Sequence, residues 1–135
     1  MTEQELCRLA IAARERAYAP YSGYTVGAAL LTADSKVYTG CNIENASFTP
    51  TVCAERTAVF KAVSEGERRF AMLAVAGGKA GQVGGAFPPC GVCRQVLAEF
   101  CPPDFPILLA QGAGEYTSVT LRELLPLAFS PKHME

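Results

Sequence analysis

Three of the six cysteines in this chain, Cys53, Cys90 and Cys93, fall at the starts of predicted helices, and any fold it adopts has to accommodate that placement. From Val52 onward, Ala54, Ala58, Val59, Ala62 and Val63 recur at helical spacing until Gly66 ends the run. A second such segment runs from about Gly91 to Phe100 and is stopped by Cys101-Pro102-Pro103. Cys90-Gly91-Val92-Cys93 therefore sets two thiols on one face of a first helical turn, where the helix dipole favours thiolate. Taken alone, that spacing serves a thioredoxin-like redox pair or half of a structural zinc knuckle as well as a catalytic metal site. Cys53, opening the other helix, is the natural third ligand, and two helix N-termini would then converge on one ion.

Three protein ligands with a fourth position left to water is the arrangement of a catalytic zinc, whereas a structural site closes with four. Glu55, two residues after Cys53, does not share its helix face, but a long carboxylate in the first turn can reach over the helix end. It is read as a proton shuttle and not as a ligand. Zinc lowers the pKa of a bound water toward about 7 with imidazole ligands, and three thiolates blunt that effect by donating more charge. Arg56, three residues after Cys53 on the same face, is placed to hydrogen-bond the sulfurs and draw charge off them. A non-catalytic zinc-stabilised module and a dithiol redox protein remain the readings from other classes. The first leaves Glu55 and the missing fourth ligand unexplained, and the second leaves Cys53 and Glu55 unexplained.

The remaining segments supply a frame. Thr2 with Glu5 makes a capping box, and Leu6, Leu9, Ala10, Ala13 and Ala17 continue a helical period until Pro20 and Gly23 break it. Val26 to Thr32 and Val37 to Cys41, joined by Asp34-Ser35, read as a hairpin, and Asn42-Ile43-Glu44-Asn45 as a polar loop. Phe70 to Ala76 reads as a buried strand, residues 77–89 as a glycine-rich loop, and Pro106 to Ala110 and Glu115 to Val119 as two strands flanking a glycine turn. Thr120 with Glu123 caps a short helix ended by Pro126, ahead of a polar tail. Helices alternating with about five strands predict one α/β layered domain over residues 1–135, its sheet mixing hairpin pairing with crossovers.

Composition narrows the function classes. Twelve basic against thirteen acidic residues give a formal charge of −1 with no block of either sign, so no nucleic-acid partner is expected. The acidic N-terminus lacks a secretory pattern and no apolar run approaches membrane length, so a cytoplasmic protein with no membrane partner is expected. A reducing compartment turns the cysteines from a disulfide question into a metal or catalytic one. Cys7, Cys41 and Cys101 read as packing, and His133 as a tail residue without a role. Gly77-Gly78-Lys79-Ala80-Gly81 lacks the hydroxyl a phosphate loop needs after its lysine. From spacing alone, Asn42 and Glu44 are turn-formers, and Tyr24 and Phe129 are core or interface aromatics.

Tyr21-Ser22, Val26-Gly27-Ala28-Ala29-Leu30, Gly40-Cys41-Asn42-Ile43-Glu44-Asn45, Cys53-Ala54-Glu55-Arg56-Thr57-Ala58, Pro89-Cys90-Gly91-Val92-Cys93-Arg94-Gln95 and Leu124-Leu125-Pro126 with Ala128-Phe129 closely resemble the small cytidine deaminases, nearly end to end. The zinc deaminases, with their catalytic glutamate and Pro-Cys-x-x-Cys element, are a described class. The resemblance implies a three-layer α/β/α fold on a mixed five-stranded sheet and one zinc per chain. It also implies hydrolysis of cytidine and 2′-deoxycytidine to the uridines, with release of ammonia, in pyrimidine salvage, by a zinc-activated water and a glutamate shuttle.

It further implies a homotetramer whose pockets are shared between subunits. Asn42 and Glu44 match positions that hold the ribose hydroxyls, and Ala54 matches one whose backbone contacts the pyrimidine. Tyr24 matches an aromatic, usually phenylalanine, that lies against the base. Phe48 and Phe129 match positions that contribute across subunit interfaces, the Phe48 position often carrying tyrosine. A blasticidin-type nucleoside deaminase is similar in the Cys-Ala-Glu and Pro-Cys-Gly elements, and the Asn42 to Asn45 loop favours cytidine.

Overall fold

The computed structural model describes residues 1–82, 84–112 and 114–135, so Val83 of the glycine-rich loop and Ala113 of the glycine turn lie outside the described residues. Five strands form one sheet: β1 (Tyr24–Thr32), β2 (Val37–Cys41), β3 (Phe70–Lys79), β4 (Pro106–Gly112) and β5 (Glu115–Thr120). Their order is β2-β1-β3-β4-β5. β1 pairs antiparallel with both β2 and β3, β4 pairs antiparallel with β5, and β3 and β4 are parallel. The parallel pair demands a crossover, and α3 (Gly91–Phe100) supplies it. α1 (Glu3–Ala13) precedes β1, α2 (Ala54–Ser64) joins β2 to β3, and α4 (Leu121–Leu124) follows β5.

Strand alternation divides the core in two. Ala28, Leu30, Leu73, Val75, Ile107 and Leu109 point to one face and pack with Ala58, Val59 and Ala62 of α2 and Leu97 of α3. The alternate residues Ala29, Leu31, Ala74, Ala76, Leu108 and Ala110 meet Leu6, Cys7 and Ala10 of α1 on the other. The result is the expected three-layer α/β/α arrangement with a mixed five-stranded sheet. Both predicted capping boxes form, Thr2 with Glu5 and Thr120 with Glu123. No helix among the described residues is long and apolar enough to cross a membrane.

Several boundaries differ from the sequence reading, among them β1, which opens at Tyr24, β4, which runs to Gly112, and β5, which runs to Thr120. α1 stops at Ala13 and tightens into a 3-10 turn over Arg14–Arg16, leaving Ala17 outside the helix. Arg14, the C-cap of α1, stands at this transition: it is buried, and its guanidinium donates to the carbonyls of Thr25 and Lys79 at 3.0 Å each and to that of Gln82. β3 runs on through Gly77, Gly78 and Lys79, which the sequence alone reads as loop, because β1 pairs with it as far as Tyr24↔Lys79. The polar tail closes a 3-10 turn over Pro131–Met134, with His133 accepting from the Ser130 backbone N–H.

The close seat of α2 on β2 positions the functional end of the sheet. A Cβ at Gly40 would stand 2.5 Å from the Ala54 carbonyl oxygen and 2.6 Å from the Ala58 nitrogen. Only a residue without a side chain lets the first turn of α2 lie that near the strand. The loop leaving β2, the start of α2 and the start of α3 all gather near the carboxyl end of β3, where open α/β sheets bind ligands.

Candidate metal centre and substrate pocket

Cys53 and Cys90 are the N-cap residues of α2 and α3, each in extended backbone conformation with no side-chain capping bond, so their thiols are free to point across the helix ends. Cys93, in the first turn of α3, is buried. The Cys53 and Cys90 sulfurs are 3.6 Å apart, those of Cys90 and Cys93 are also 3.6 Å apart, and all three lie within 4.8 Å of one another. A tetrahedral zinc with Zn–S bonds of about 2.3 Å holds its sulfurs about 3.8 Å apart, so the donor set and its spacing fit that ion. All six cysteines are free, and the cluster is far too open for a disulfide of about 2.05 Å. Arg94 fixes the approach to α3 by donating to the Pro89 carbonyl at 2.7 Å and the Leu124 carbonyl at 2.6 Å.

The electrostatics of the cluster favour bound positive charge. A hydrogen bond with Cys93 holds the Cys53 thiol well below its usual value, at about 5, and Arg56 and Cys90 add to the effect against the penalty of burial. The same hydrogen bond pushes Cys93 far upward, with burial adding to it. Arg56 Nη2 donates to Cys53 Sγ at 3.5 Å. Glu55 is only 4% exposed, and its Oε1 has no hydrogen-bond partner among the described residues. Burial pushes this carboxyl up to about 7. An unpartnered carboxylate oxygen is costly to bury, which marks a group waiting for a ligand or a proton.

Beside the sulfurs is a cavity of about 200 Å³, whose walls include Cys53, Cys90 and Glu55 together with Asn42, Glu44, Val26 and Phe87. Asn42 is spoken for on both ends of its amide: Oδ1 accepts from the Val26 N–H at 2.8 Å and Nδ2 donates to the Tyr24 carbonyl at 2.9 Å. Glu44 Oε1 accepts from the backbone N–H groups of Tyr21 and Ser22 at 2.9 and 3.1 Å, and Oε2 accepts from the Ser22 hydroxyl. Those bonds, the Ser22 hydroxyl foremost, lower its pKa and hold the carboxylate ionised and aimed.

Ala54, the first residue of α2, is fully buried. Tyr24 is 42% exposed and leans on Phe87 with ring centroids 6.5 Å apart. Phe48 and Phe129 are exposed and stand outside this cavity: Phe48 borders a neighbouring hollow with Tyr21, Ser22 and Glu44, and Phe129 stacks on His133. A larger cavity of about 460 Å³, between the end of α3 and the C-terminal segment, brings no sulfur cluster with it. Phe87 and Arg94 are the site residues that sequence reading missed. An aromatic in the approach to Pro88-Pro89-Cys90 was the available signal for the first.

Residues 1–109 match the cytidine and deoxycytidylate deaminase zinc-binding region. A cytidine deaminase of Halalkalibacterium halodurans is 51% identical over 134 residues, spanning 99% of this chain and 98% of that protein. One from Sporosarcina psychrophila is 52% identical over 122 residues, spanning 90% and 87%. The crystal structure of cytidine deaminase from Burkholderia pseudomallei superposes with a TM-score of 0.87 at 47% identity, covering 96% of this chain and all of the other. With its mixed sheet, its three-cysteine cluster and these matches, the chain belongs to the zinc-binding cytidine and deoxycytidylate deaminase family, hydrolases of the C–N bond.

Proposed function

We propose that the chain, acting as one domain over residues 1–135, converts both cytidine and 2′-deoxycytidine to the corresponding uridines in cytoplasmic pyrimidine salvage, with Cys53, Cys90 and Cys93 holding one zinc per chain. The observation that carries the reading is the unpartnered, buried Oε1 of Glu55 in the wall of the cavity beside the three sulfurs. When bound, zinc supplies the Lewis acidity that activates water for attack.

The protein's own groups do the rest. Glu55 takes a proton from the attacking water and delivers it to N3 of the pyrimidine; it then takes the remaining proton from the C4 hydroxyl of the adduct and passes it to the amine, so that the C4 carbonyl forms as the C4–N4 bond breaks and ammonia leaves. A carboxyl that titrates near neutrality suits a group that must both accept and donate. Glu44 and Asn42 receive the ribose hydroxyls, their positions fixed beforehand by the Tyr21–Ser22 turn and the β1 backbone. The Ala54 backbone meets the pyrimidine, and Tyr24 borders the base. Arg56 offsets the charge of the thiolates through Cys53.

Phe48 and Phe129, exposed and apolar outside their own chain's pocket, serve neighbouring pockets in a homotetramer. The test is the absorbance change on conversion of cytidine and of 2′-deoxycytidine by the zinc-loaded protein and by Glu55→Gln. Turnover of both nucleosides, lost in the variant with zinc retained, is the expected result. Near-normal turnover by Glu55→Gln, or no turnover by the wild type, would overturn it.

A further inference from the structure

Phe87 lies in the connection between β3 and α3, three residues ahead of Cys90, and is half-buried. It is the only aromatic residue among the described residues lining the cavity beside the sulfurs. Tyr24 meets the ring of Phe87 at a 36° tilt and does not itself line that cavity. The two rings thus form a wall with Phe87 on the inside.

The sheet makes room for this ring. Gly77 pairs with Val26 across the β1–β3 ladder, and its backbone lies outside the left-handed region, so its own conformation does not require glycine. A Cβ at Gly77 would stand 2.5, 2.6 and 2.9 Å from Phe87 ring atoms, its three nearest neighbours. The missing side chain at 77 and the ring at 87 are therefore one steric unit.

We propose that Phe87 is the inner aromatic surface on which the pyrimidine packs face to face, with Tyr24 extending that aromatic wall at its flank and Gly77 as the clearance that seats it. The assignment rests on the deaminase reading above. A pyrimidine with C4 toward the sulfurs and N3 toward Glu55 has its ring edges committed to polar groups, and its faces need an apolar, polarisable partner. Base–aromatic packing is lost on truncation to alanine at a cost of about tenfold in affinity. Because the ring contributes equally before and during reaction, the loss falls on KM and leaves kcat nearly unchanged.

The experiment compares zinc-loaded wild type with Phe87→Ala, Phe87→Leu, Phe87→Tyr, Gly77→Ala and the Gly77→Ala/Phe87→Ala double variant. It measures KM and kcat for cytidine and, by calorimetry, the Kd of uridine. Phe87→Ala and Phe87→Leu should raise KM and the uridine Kd by about tenfold and by less, respectively, while Phe87→Tyr restores both. Gly77→Ala should weaken uridine binding in the wild-type background and have no effect in the Phe87→Ala background, since the clash needs the ring.

A Phe87→Ala variant whose KM and uridine Kd both stay within about twofold of wild type overturns the proposal, as does full additivity of the Gly77→Ala and Phe87→Ala effects. Uridine binding is read without turnover, so a failure of the deamination assay and a failure of the Phe87 assignment are separately visible.

Discussion

Gly40→Ala tests whether the seat of α2 on the sheet sets the geometry of the site. The new Cβ would stand 2.5 Å from the Ala54 oxygen, 2.6 Å from the Ala58 nitrogen and 2.9 Å from Thr57 Cβ. Two of those three atoms are helix backbone, so no rotamer change relieves the overlap. To restore ordinary contact the helix must lift from β2 by roughly 1 Å. Overpacking of that kind costs about 1–3 kcal/mol of stability.

The lifted turn carries Cys53 at its cap and Glu55 one residue into the helix, and a misplacement of roughly 1 Å costs on the order of 100-fold in rate. Urea denaturation followed by circular dichroism reads the first effect, and kcat/KM for cytidine reads the second on the same zinc-loaded sample. A variant that loses stability but keeps its kcat/KM would refute the link between the helix seat and the site. One unchanged in both would refute the packing argument itself.

Other expectations follow from single groups. Glu55→Gln should lower kcat by at least about 100-fold while zinc stoichiometry holds, because the amide can neither accept nor release the proton. Arg56→Gln should reduce activity while zinc content largely survives, checked by metal analysis alongside turnover; unchanged turnover at neutral pH would remove Arg56 from the metal centre's function. Arg14→Met should destabilise the protein by about 2–4 kcal/mol in denaturant titration, since it strips donors from the Thr25, Lys79 and Gln82 carbonyls. Cys7 and Cys101, pushed up to about 11 and about 12, chiefly by burial, should remain unalkylated by iodoacetamide at pH 8 until the chain is unfolded, which peptide mass mapping reads directly.

How much was legible in the sequence depended on whether a residue's role was local. The convergence of Cys53 with the Cys90–Cys93 pair was readable because helix periodicity fixes where a first turn points. Ala28 to Leu31 and Leu73 to Ala76 carry small and large apolar residues through both alternations, as strands covered on both sides do, but the three-layer arrangement itself was implied only by the family resemblance. The end of β3 was not readable: Gly77 and Gly78 look like breakers, and only the facing residues of β1 keep them in the ladder.

Arg14 was invisible because a charged residue at a helix end is ordinarily solvated, and its burial depends on carbonyls far along the chain. Phe87 was hidden for a related reason, its position being set by the absence of a side chain at residue 77. Asn42 and Glu44 are singled out only by family resemblance. Their bonds to β1 and to the Tyr21–Ser22 turn join segments about twenty residues apart, beyond any spacing rule.

Everything proposed for this protein depends on the three-cysteine cluster being a catalytic zinc site. Protein stripped with a chelator and then titrated with zinc, with turnover of cytidine measured at each addition, tests it most directly. Turnover should be absent without metal and rise in proportion to bound zinc until one ion per chain is reached, with Cys53→Ala, Cys90→Ala and Cys93→Ala failing to recover it. Deamination by metal-free protein, or full recovery of turnover in any of those three variants, would contradict the account.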